Sequence, residues 1–311
     1  MLALPFVPRL ARAQAWPTRT IRVIAPFSAG STVDVVGRLV LDPLSQQLGQ
    51  TMVLENRGGA GGMTGATAVA RAEPDGHTIL VISSAHTAIP AIYPKVAYDT
   101  VADFAAVASL GSSPNVTVIA PGKGIKTLQQ LVAAAKAKEG ALTYATAGVG
   151  SATHLSTERL AFSAGFKAVH VPFKGMPEAL TEVMTGRVDF SCSSIAPALP
   201  LIRSGKLIAL SVTTPKRSPA LPEVPTSVEA GYANSDYTFW LGFFLPVKTP
   251  RAIVERLHAE TQKALAGKGM PERLAQNGID PMPITPAAFD ALVKKEVEGN
   301  IALVKGAGLK F

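Results

Sequence analysis

Two short segments carry residue types that can bind an anion through the backbone, one near the N-terminus and one in the middle of the chain. Each begins where an apolar strand pattern ends, passes through small residues, and reaches a serine directly before a helical pattern. Serine is a favoured helix N-cap, and the unpaired N–H groups of a first helical turn attract anions, together with the positive end of the helix dipole. We therefore predict one anion site clamped between the two segments. They comprise Phe27, Ser28, Ala29, Gly30 and Ser31, and Thr146, Ala147, Gly148, Val149, Gly150 and Ser151.

Side chains beside these segments offer further contacts to a ligand. Asp34 follows Ser31 at capping-box spacing, so we expect it to accept a hydrogen bond from the Ser31 amide in preference to contacting a ligand. Phe27 and Phe173 each follow a proline near a strand end, where an aromatic ring can cover an apolar ligand body. Core packing is an equal alternative for Phe173. Lys174 could pair with a ligand carboxylate, although an exposed lysine is the commoner case.

Motifs for catalysis, nucleotide binding and metal binding are missing. The glycine cluster Gly58–Gly62 lacks dinucleotide-loop spacing, because Thr64 stands where the third glycine is required. We expect it to form a tight loop ahead of a helix that could line a cleft. Ser151 and His154 lie close in sequence, but without a G-x-S-x-G elbow both are expected to support the helix start. The histidines have no metal-ligand spacing. We expect no catalysis, no cofactor and no metal.

Length and composition favour a two-domain protein that binds small anions. The 311 residues exceed what one core usually organises, and 47% hydrophobic with 17% charged residues is typical of globular proteins. The formal net charge of +8 is scattered without a long basic run, which argues against nucleic-acid binding and favours anionic small molecules. Cys192 is the only cysteine, so no intrachain disulfide can form.

Residues 1–15 have the pattern of a signal-peptide remnant. A short apolar stretch ends in Ala13-Gln14-Ala15, an A-x-A cleavage signal directly before Trp16. The usual basic start is missing, so we expect Met1 to lie inside a longer signal; a disordered cytosolic N-terminus is the alternative. No later run of about 18 apolar residues indicates a membrane span. These features predict a secreted protein.

Strand patterns alternate with amphipathic helical patterns, which predicts an α/β fold with largely parallel sheets. Helix starts are marked by Thr127, Thr249-Pro250 and Thr285-Pro286, where threonine is the expected N-cap and proline the first helical residue. The predicted strands are Ile21–Ala25, Met52–Glu55, Thr78–Ile82, Val116–Ala120, Leu142–Ala145, Val169–Pro172, Val188–Cys192, Ile208–Val212 and Thr238–Leu245.

Two of these strands are predicted to connect two domains. Val116–Ala120 and Thr238–Leu245 would each cross between them, which places residues 16–115 and 240–311 in domain 1 and residues 116–239 in domain 2. The two anion-binding segments then lie in different domains. A hinge formed by the two crossings would close the domains on a ligand in the cleft between them.

The order of these motifs closely resembles the Bug family (TctC-like), the periplasmic solute receptors associated with tripartite tricarboxylate transporters. The resemblance extends over essentially all of residues 16–311. The matching segments are Trp16-Pro17, Ile21–Gly30 with Asp34, Val53–Gly62, Pro74–Leu80, Tyr144–Ser151 with His154 and Leu155, Val171–Gly175, Gly186–Asp189, Ser204–Leu207 and Leu221–Thr226.

The resemblance implies a two-domain periplasmic-binding-protein fold of the Venus-flytrap kind (type II-like), with the ligand in a cleft between α/β domains. It also implies that the loops Phe27–Ser31 and Thr146–Ser151 grip a ligand carboxylate. Ser83, Ser84 and Thr87 would border the same cleft.

Three positions depart from the family pattern. Ser31 replaces a glycine and adds a hydroxyl beside the first anion site. Met176 stands where a small polar residue is common. Ser193 stands where many members carry an aspartate that could meet a ligand ammonium group, so a dicarboxylate or an aromatic carboxylate is favoured over an amino acid. Ser193 and His154 complete the expected ligand-binding residues.

These features predict a monomeric periplasmic receptor that captures a small organic carboxylate and presents it to the membrane subunits of a tripartite tricarboxylate-type transporter. The resemblance carries the transport and periplasmic parts of this prediction. One alternative is an anion-sensing receptor that serves a signalling partner. Another is a secreted hydrolase of carboxylate esters that depends on Ser151.

Overall fold

Nine β-strands and ten α-helices alternate over residues 16–93 and 95–306, which the computed structural model describes. None of the helices in these ranges is long and apolar enough to cross a membrane. The predicted signal remnant at residues 1–15 lies outside the described residues.

The strands are β1 Ile21–Ala25, β2 Met52–Asn56, β3 Thr78–Ser83, β4 Phe104–Ile119, β5 Thr143–Thr146, β6 Val169–Pro172, β7 Phe190–Ser194, β8 Ile208–Val212 and β9 Thr238–Pro246. The helices are α1 Thr32–Leu48, α2 Met63–Ala70, α3 Ala85–Ile92, α4 Leu128–Ala137, α5 Ala152–Ala164, α6 Met176–Met184, α7 Ile195–Arg203, α8 Arg251–Leu265, α9 Met270–Gln276 and α10 Pro286–Gly306.

All nine predicted strands are present, and eight of them both begin and end within two residues of the predicted positions. The exception is β4, which begins at Phe104 and not at Val116. Its first part contains small residues and Pro114, which disfavour strands in isolation. Pairing with β9, from Phe104 opposite Pro246 to Pro114 opposite Thr238, brings this part into the sheet.

The strands follow one hydrogen-bonded path in the order β2-β1-β3-β9-β4-β7-β5-β6, with β8 also paired to β4. β1 runs parallel to β2 and β3, and β5 runs parallel to β6 and β7. The pairs that involve β4 or β9 are antiparallel. The α/β class is therefore confirmed. The prediction of largely parallel sheets is right for the outer strands and wrong at the centre, where β4 and β9 run back between the two parallel groups.

β4 changes partners along its length. Residues 104–114 pair with β9, while residues 115–119 lie between β7 and β8. This one strand therefore belongs to both groups of strands, and the loops that follow β1 and β5 come from different groups.

Apolar side chains from both groups pack into one continuous core. Val23 of β1 and Ile82 of β3 belong to the same buried cluster as Leu155 of α5 and Ile195 of α7. A smaller cluster around Phe190 packs beneath α4 and α5. Burial of apolar surface thus holds the two groups together.

The predicted caps are confirmed at two helix starts outside the site. Thr127 Oγ1 and Thr285 Oγ1 each accept the amide N–H three residues further on, at 3.2 and 3.3 Å. The cap predicted at Thr249 is wrong. Pro250 is extended (φ −53°, ψ 132°) and is itself the N-cap, so α8 begins at Arg251.

His86 is fully buried in α3, and neither ring nitrogen has a hydrogen-bond partner among the described residues. Its ring packs against Tyr98, Phe104 and Phe244 at centroid distances of 6.2, 4.8 and 5.0 Å. Burial lowers the pKa of His86 to about 3, because the imidazolium would lose its hydration in this aromatic surrounding. The ring is therefore neutral in the folded protein near pH 7.

Acid should destabilise the protein through His86. Its folded-state pKa of about 3 lies below the ordinary value of 6.5, so between these pH values the unfolded chain binds a proton that the folded chain excludes. Between these two pH values, this residue should lower the free energy of unfolding by roughly 1 kcal/mol for each pH unit of acidification. Urea denaturation at a series of pH values measures the slope. His86→Leu should flatten it, and an unchanged slope in that variant would contradict this account.

Candidate functional site

The loops that follow β1 and β5 have the same backbone geometry. Gly30 and Gly150 have φ angles of 78° and 77°, in the left-handed region that favours glycine. Ser31 (φ −68°, ψ 159°) and Ser151 (φ −65°, ψ 159°) follow as the extended N-caps of α1 and α5. Each serine hydroxyl accepts the amide N–H three residues further on, at 3.4 and 3.3 Å. The shared plan predicted from the sequence is confirmed at the level of the backbone.

Asp34 closes the first loop, but not as the predicted capping box. Its Oδ2 accepts the N–H of Gly30 at 2.9 Å, and not the N–H of Ser31. Ser31 instead donates its N–H to the carbonyl of Ser28 at 3.2 Å, which completes a turn inside the loop. The Asp34 carboxylate therefore fixes the conformation of the loop.

Arg38 and Asn56 complete a hydrogen-bond network around Asp34. Arg38 Nε and Asn56 Nδ2 both donate to Asp34 Oδ1 at 3.0 Å, and Asn56 Nδ2 also donates to the Phe27 carbonyl at 3.0 Å. Burial raises the pKa of Asp34, but the hydrogen bonds from Gly30, Arg38 and Asn56 outweigh this, so the pKa lies below its ordinary value. The carboxylate stays ionised near pH 7, and the network holds both ends of the loop.

His154 has the corresponding position in the second loop. Its Nδ1 accepts the N–H of Gly150 at 3.1 Å, which requires a neutral ring. The ring stacks on His170 at a centroid distance of 3.8 Å, and His170 Nε2 lies 2.6 Å from Thr146 Oγ1. Burial, with a smaller contribution from His170, lowers the pKa of His154 to about 3, and burial lowers that of His170 to about 4. Both rings are therefore neutral near pH 7.

Most loop amides that were predicted to hold an anion already have acceptors within the protein. This corrects the predicted grip, because an N–H that is donated inside a loop is not aimed at a ligand. The donor and acceptor pairs are Gly30 to Asp34, Ser31 to Ser28, Ala147 to Thr153, Gly148 to Thr146, Gly150 to His154 and Ser151 to Gly148.

The first turns of α1 and α5 supply unpaired donors instead. Among the hydrogen bonds of the described residues, the N–H groups of Thr32, Val33, Ala152 and Thr153 have no acceptor. These are the first two positions of each helix, where helical geometry leaves the donors without an internal partner. Each of the four residues is at most 3% exposed. An unpaired N–H in such a place is costly unless a bound group accepts it.

The two helix starts meet at a small cavity, which we call the inner cavity. Its volume is about 20 Å³, room for a single water-sized group. Among the residues that the structure describes, no charged side chain lines it. Its lining consists of Ser31, Thr32 and Val33, of Ser151, Ala152 and Thr153, and of Phe27, Ser83, Ala147, Met176, Ser194 and Phe239.

Five helices begin at or beside the inner cavity. Besides α1 and α5, α6 begins at Met176, Ser194 is the N-cap of α7, and Ser83 directly precedes Ser84, the N-cap of α3. These helices follow β1, β5, β6, β7 and β3, so the carboxyl ends of all five strands lead towards one place. Their helix dipoles add to a positive potential there. The cavity can therefore attract an anion without a basic side chain.

Hydroxyl groups add donors at the inner cavity. Thr32 Oγ1 is buried and has no hydrogen-bond partner in the described part of the protein. Ser151 Oγ and Thr153 Oγ1 lie 2.9 Å apart, and each already accepts an amide N–H, from His154 and Ala147 respectively. The contact between the two hydroxyls uses only one of their two hydrogens, so the other hydrogen can be donated to a ligand.

A larger cavity of about 680 Å³, which we call the outer cavity, shares Ala147 with the inner one. Its charged lining residues are Lys174 and Glu178. The glycine cluster forms a tight loop ahead of α2, as predicted, and lines this cavity. The described residues that line it are Gly59, Ala60, Gly61, Tyr93, Ala147, Gly148, Val149, Pro172, Phe173, Lys174 and Glu178.

Part of the predicted ligand-binding set lies at these cavities. The predicted residues that line one of them are Phe27, Ser31, Ser83, Ala147, Gly148, Ser151, Phe173 and Lys174. The predicted residues that line neither are Ser28, Ala29, Gly30, Asp34, Ser84, Thr87, Thr146, Gly150, His154 and Ser193. Several members of the second group, above all Asp34 and His154, hold the loops in place from inside the protein.

Thr87 and Ser193 use their hydroxyls within the protein. Thr87 is fully buried, and its Oγ1 lies 2.8 Å from the Ser84 carbonyl and 3.1 Å from the Glu296 carboxylate. Ser193 Oγ donates to the carbonyl of Ser194 at 2.7 Å. Ser194 is the residue of β7 that lines the inner cavity, because successive side chains of a strand point to opposite faces.

Two kinds of residue at the inner cavity were not predicted from the sequence. The first kind is the first two residues of α1 and of α5, which directly follow the predicted N-caps Ser31 and Ser151. The capping pattern alone could have identified their N–H groups as unpaired donors. Ser194 and Phe239 carry no comparable local signal, because only the packing of distant elements brings them to the cavity.

Comparisons with known proteins agree over nearly the whole chain. The family described as the tripartite tricarboxylate transporter family receptor matches residues 36–309. The periplasmic binding protein BugD is 33% identical, with 95% of this chain and 99% of BugD covered and a TM-score of 0.89. MatC from Rhodopseudomonas palustris, with bound malate, is 35% identical, with coverages of 93% and 100% and a TM-score of 0.89. Rpa4515 from R. palustris, with adipate, is 30% identical, with coverages of 95% and 99% and a TM-score of 0.91.

Removal of the Asp34 carboxylate should destabilise the first loop. Asp34→Ala leaves Gly30, Arg38 and Asn56 without their shared acceptor, and we expect a loss of about 2 kcal/mol in the free energy of unfolding, as is usual for hydrogen bonds to a buried charge. Urea denaturation at pH 7 measures this loss. Asp42→Ala, at an exposed aspartate of the same helix, is the control and should change stability by less than about 0.5 kcal/mol. Equal losses in both variants would contradict the role of Asp34.

Proposed function

The chain belongs to the tripartite tricarboxylate transporter receptor family of periplasmic solute-binding proteins, and we propose that it binds a small organic carboxylate at the inner cavity. One observation carries the proposal: within the described part of the chain, four unpaired first-turn amides converge on a buried point that no charged side chain lines. A carboxylate has two oxygens with about four lone-pair sites between them. The donors of Thr32, Val33, Ala152 and Thr153 match that capacity.

The lining favours a plain carboxylate over an amino acid. No carboxylate side chain of residues 16–93 or 95–306 lines the inner cavity, so a ligand ammonium group would meet hydroxyls and helix N-termini that disfavour positive charge. Phe27, Met176 and Phe239 offer an apolar surface to a ligand body. The malate in MatC and the adipate in Rpa4515 support the carboxylate class. We propose a dicarboxylate or an aromatic carboxylate as the ligand.

The geometry does not favour the hydrolase alternative. His154 Nδ1 already accepts the Gly150 N–H, so this nitrogen is not available as a base for Ser151. Ser151 Oγ accepts the backbone N–H of His154 and contacts Thr153, as expected of a helix cap. We propose a receptor without catalytic activity.

The proposed receptor has two domains, residues 16–115 with 240–311 and residues 116–239. Support comes from β4, which pairs with β9 up to Pro114 and with β7 and β8 beyond it. We propose that these domains close on the ligand about β4 and β9. Small-angle scattering tests the closure: the radius of gyration should fall when a carboxylate binds, and an unchanged radius with confirmed binding would contradict it.

Two hydrogen bonds join the proposed domains beside the outer cavity. Ser28 Oγ donates to Glu178 Oε2 at 3.2 Å, and the Tyr93 hydroxyl donates to the Val149 carbonyl at 2.6 Å. Val149 lies in the second loop and Ser28 in the first, so both bonds act on the loops that lead into α1 and α5. These contacts support a cleft that encloses the bound group.

We propose that the protein works in the periplasm as a monomer and delivers its ligand to the membrane subunits of a tripartite transporter. The family, whose members are receptors of such transporters, supports this role. The A-x-A pattern directly before Trp16 supports export.

The ligand class is tested by a thermal-shift screen of mono-, di- and tricarboxylates against amino acids. A ligand that binds only the folded state raises the melting temperature, so we expect plain carboxylates to raise it most. No shift with any carboxylate would contradict the proposal.

Four variants distinguish binding of the carboxylate by backbone amides, which we call the backbone grip, from binding by the Lys174 side chain. Ser151→Ala should weaken binding only several-fold, because it removes about 1 kcal/mol of hydroxyl contact and leaves the amides in place. Lys174→Met should have less effect, since exposed Lys174 lines only the outer cavity. Gly30→Val and Gly148→Val should be the most damaging, because φ angles of 78° and 114° strain any side chain and an added Cβ would lie 3.3 and 3.2 Å from neighbouring atoms. Calorimetric titration measures all four. Binding that is lost in Lys174→Met and kept in both glycine variants would overturn the backbone grip.

A further inference from the structure

One apolar side chain at the inner cavity is flexible, that of Met176. It is the first residue of α6 and is 2% exposed. Its unbranched thioether has three rotatable bonds and adapts to irregular spaces. The large apolar neighbours in the lining, Phe27 and Phe239, are rigid rings, and Val33 is branched and stiff. Met176 is therefore the lining side chain that can change the shape of the cavity without movement of the backbone.

The backbone around Met176 is held against the first loop. A Cβ added to Gly175 would lie 1.7 Å from Ser28 Oγ and 2.9 Å from Ser28 Cβ, so a larger residue here would force Ser28 to move. Two residues after Met176, Glu178 accepts a hydrogen bond from the same Ser28 hydroxyl at 3.2 Å. The start of α6 is thus fixed on both sides of Met176, and its side chain stays at the inner cavity.

We propose that Met176 sets the size of the ligand body that the inner cavity accepts. This rests on the proposed function, since it takes the carboxylate group to be bound by the first-turn amides. A volume of about 20 Å³ has room for one water-sized group and none for a ligand body, so the body must displace the Met176 thioether, which lines the cavity together with Phe27 and Phe239. The Met176 side chain can rotate aside for a short ligand body, whereas a long ligand body would clash with it. Position 176 consequently determines selectivity by chain length.

The outer cavity offers the competing route for a ligand body. It meets the inner cavity at Ala147, and Met176 does not line it. A body that passed Ala147 would lie beside Lys174 and Glu178 and would be insensitive to position 176. The apolar lining by Phe27 and Phe239 favours an apolar body inside the inner cavity instead.

The test measures affinities of the wild-type protein, Met176→Ala and Met176→Leu by calorimetric titration. The probes are straight-chain monocarboxylates from acetate to hexanoate and dicarboxylates from succinate to adipate. Met176→Ala removes three heavy atoms, so the ratio of the hexanoate Kd to the propionate Kd should fall at least tenfold, because each buried methylene is worth about fourfold in affinity. Met176→Leu keeps the number of heavy atoms but reaches less far. It should shift the ratio less and in the same direction, and it serves as the test if the alanine variant does not fold.

Met270→Ala is the matched control. Met270 is also buried, at 4% exposure, but lines neither cavity, so its truncation should leave the ratio of affinities unchanged. An unchanged ratio in the Met176 variants, with the wild type still binding carboxylates, would overturn the role of Met176 and leave the proposed function standing. An equal shift in Met270→Ala would also overturn it. Failure of every probe, and of benzoate as an aromatic carboxylate, to bind the wild type and all variants would overturn the proposed function itself.

Discussion

A buried backbone N–H needs an acceptor, and this fold gathers four such groups at one point without supplying acceptors from the described chain. The order of the strands in the sheet brings these four N–H groups together. β1 and β5 belong to different groups of strands, and β4, which pairs with members of both, brings the groups together. The starts of α1 and α5 then meet at one cavity, and three further helices begin beside it. Each hydrogen bond from these amides to an anion would be charge-assisted and stronger than one to a neutral group.

The two loops are held by different side chains that accept the same kind of backbone N–H. The first uses an ionised Asp34, whose charge is balanced by Arg38 and shared with Asn56. The second uses a neutral His154. Both accept the N–H of the glycine before the serine cap, so the loop amides are occupied and the first-turn amides stay free. With this division of donors, the proposed grip would be a property of the backbone, which a change of one exposed side chain would not remove.

Local features of the fold could be predicted from the sequence, whereas contacts between distant elements could not. Strand ends and serine caps follow from a few neighbouring residues, and the likeness of the loops at Ser31 and Ser151 was visible in the sequence. The length of β4 could not be predicted from the sequence, because the first part of this strand forms only where β9 pairs with it. Likewise, Thr87 turns towards Glu296 because α10 packs on α3, and Ser194 replaces Ser193 at the cavity through the alternation of β7. The unpaired amides could be predicted only in part. Helix-capping geometry identifies them from the sequence, but their meeting at one cavity depends on the tertiary packing of α1 and α5.

The central claim is that the amides of Thr32, Val33, Ala152 and Thr153 bind the carboxylate. The most direct measurement is a titration followed by backbone amide NMR of the isotopically labelled protein, with the carboxylate that gives the largest thermal shift. The account predicts large downfield shifts of these four amide protons, with the Gly30 and Gly150 amides, already donated to Asp34 and His154, much less affected. Saturable binding that leaves the four amides unshifted, and perturbs the residues of the outer cavity instead, would contradict it.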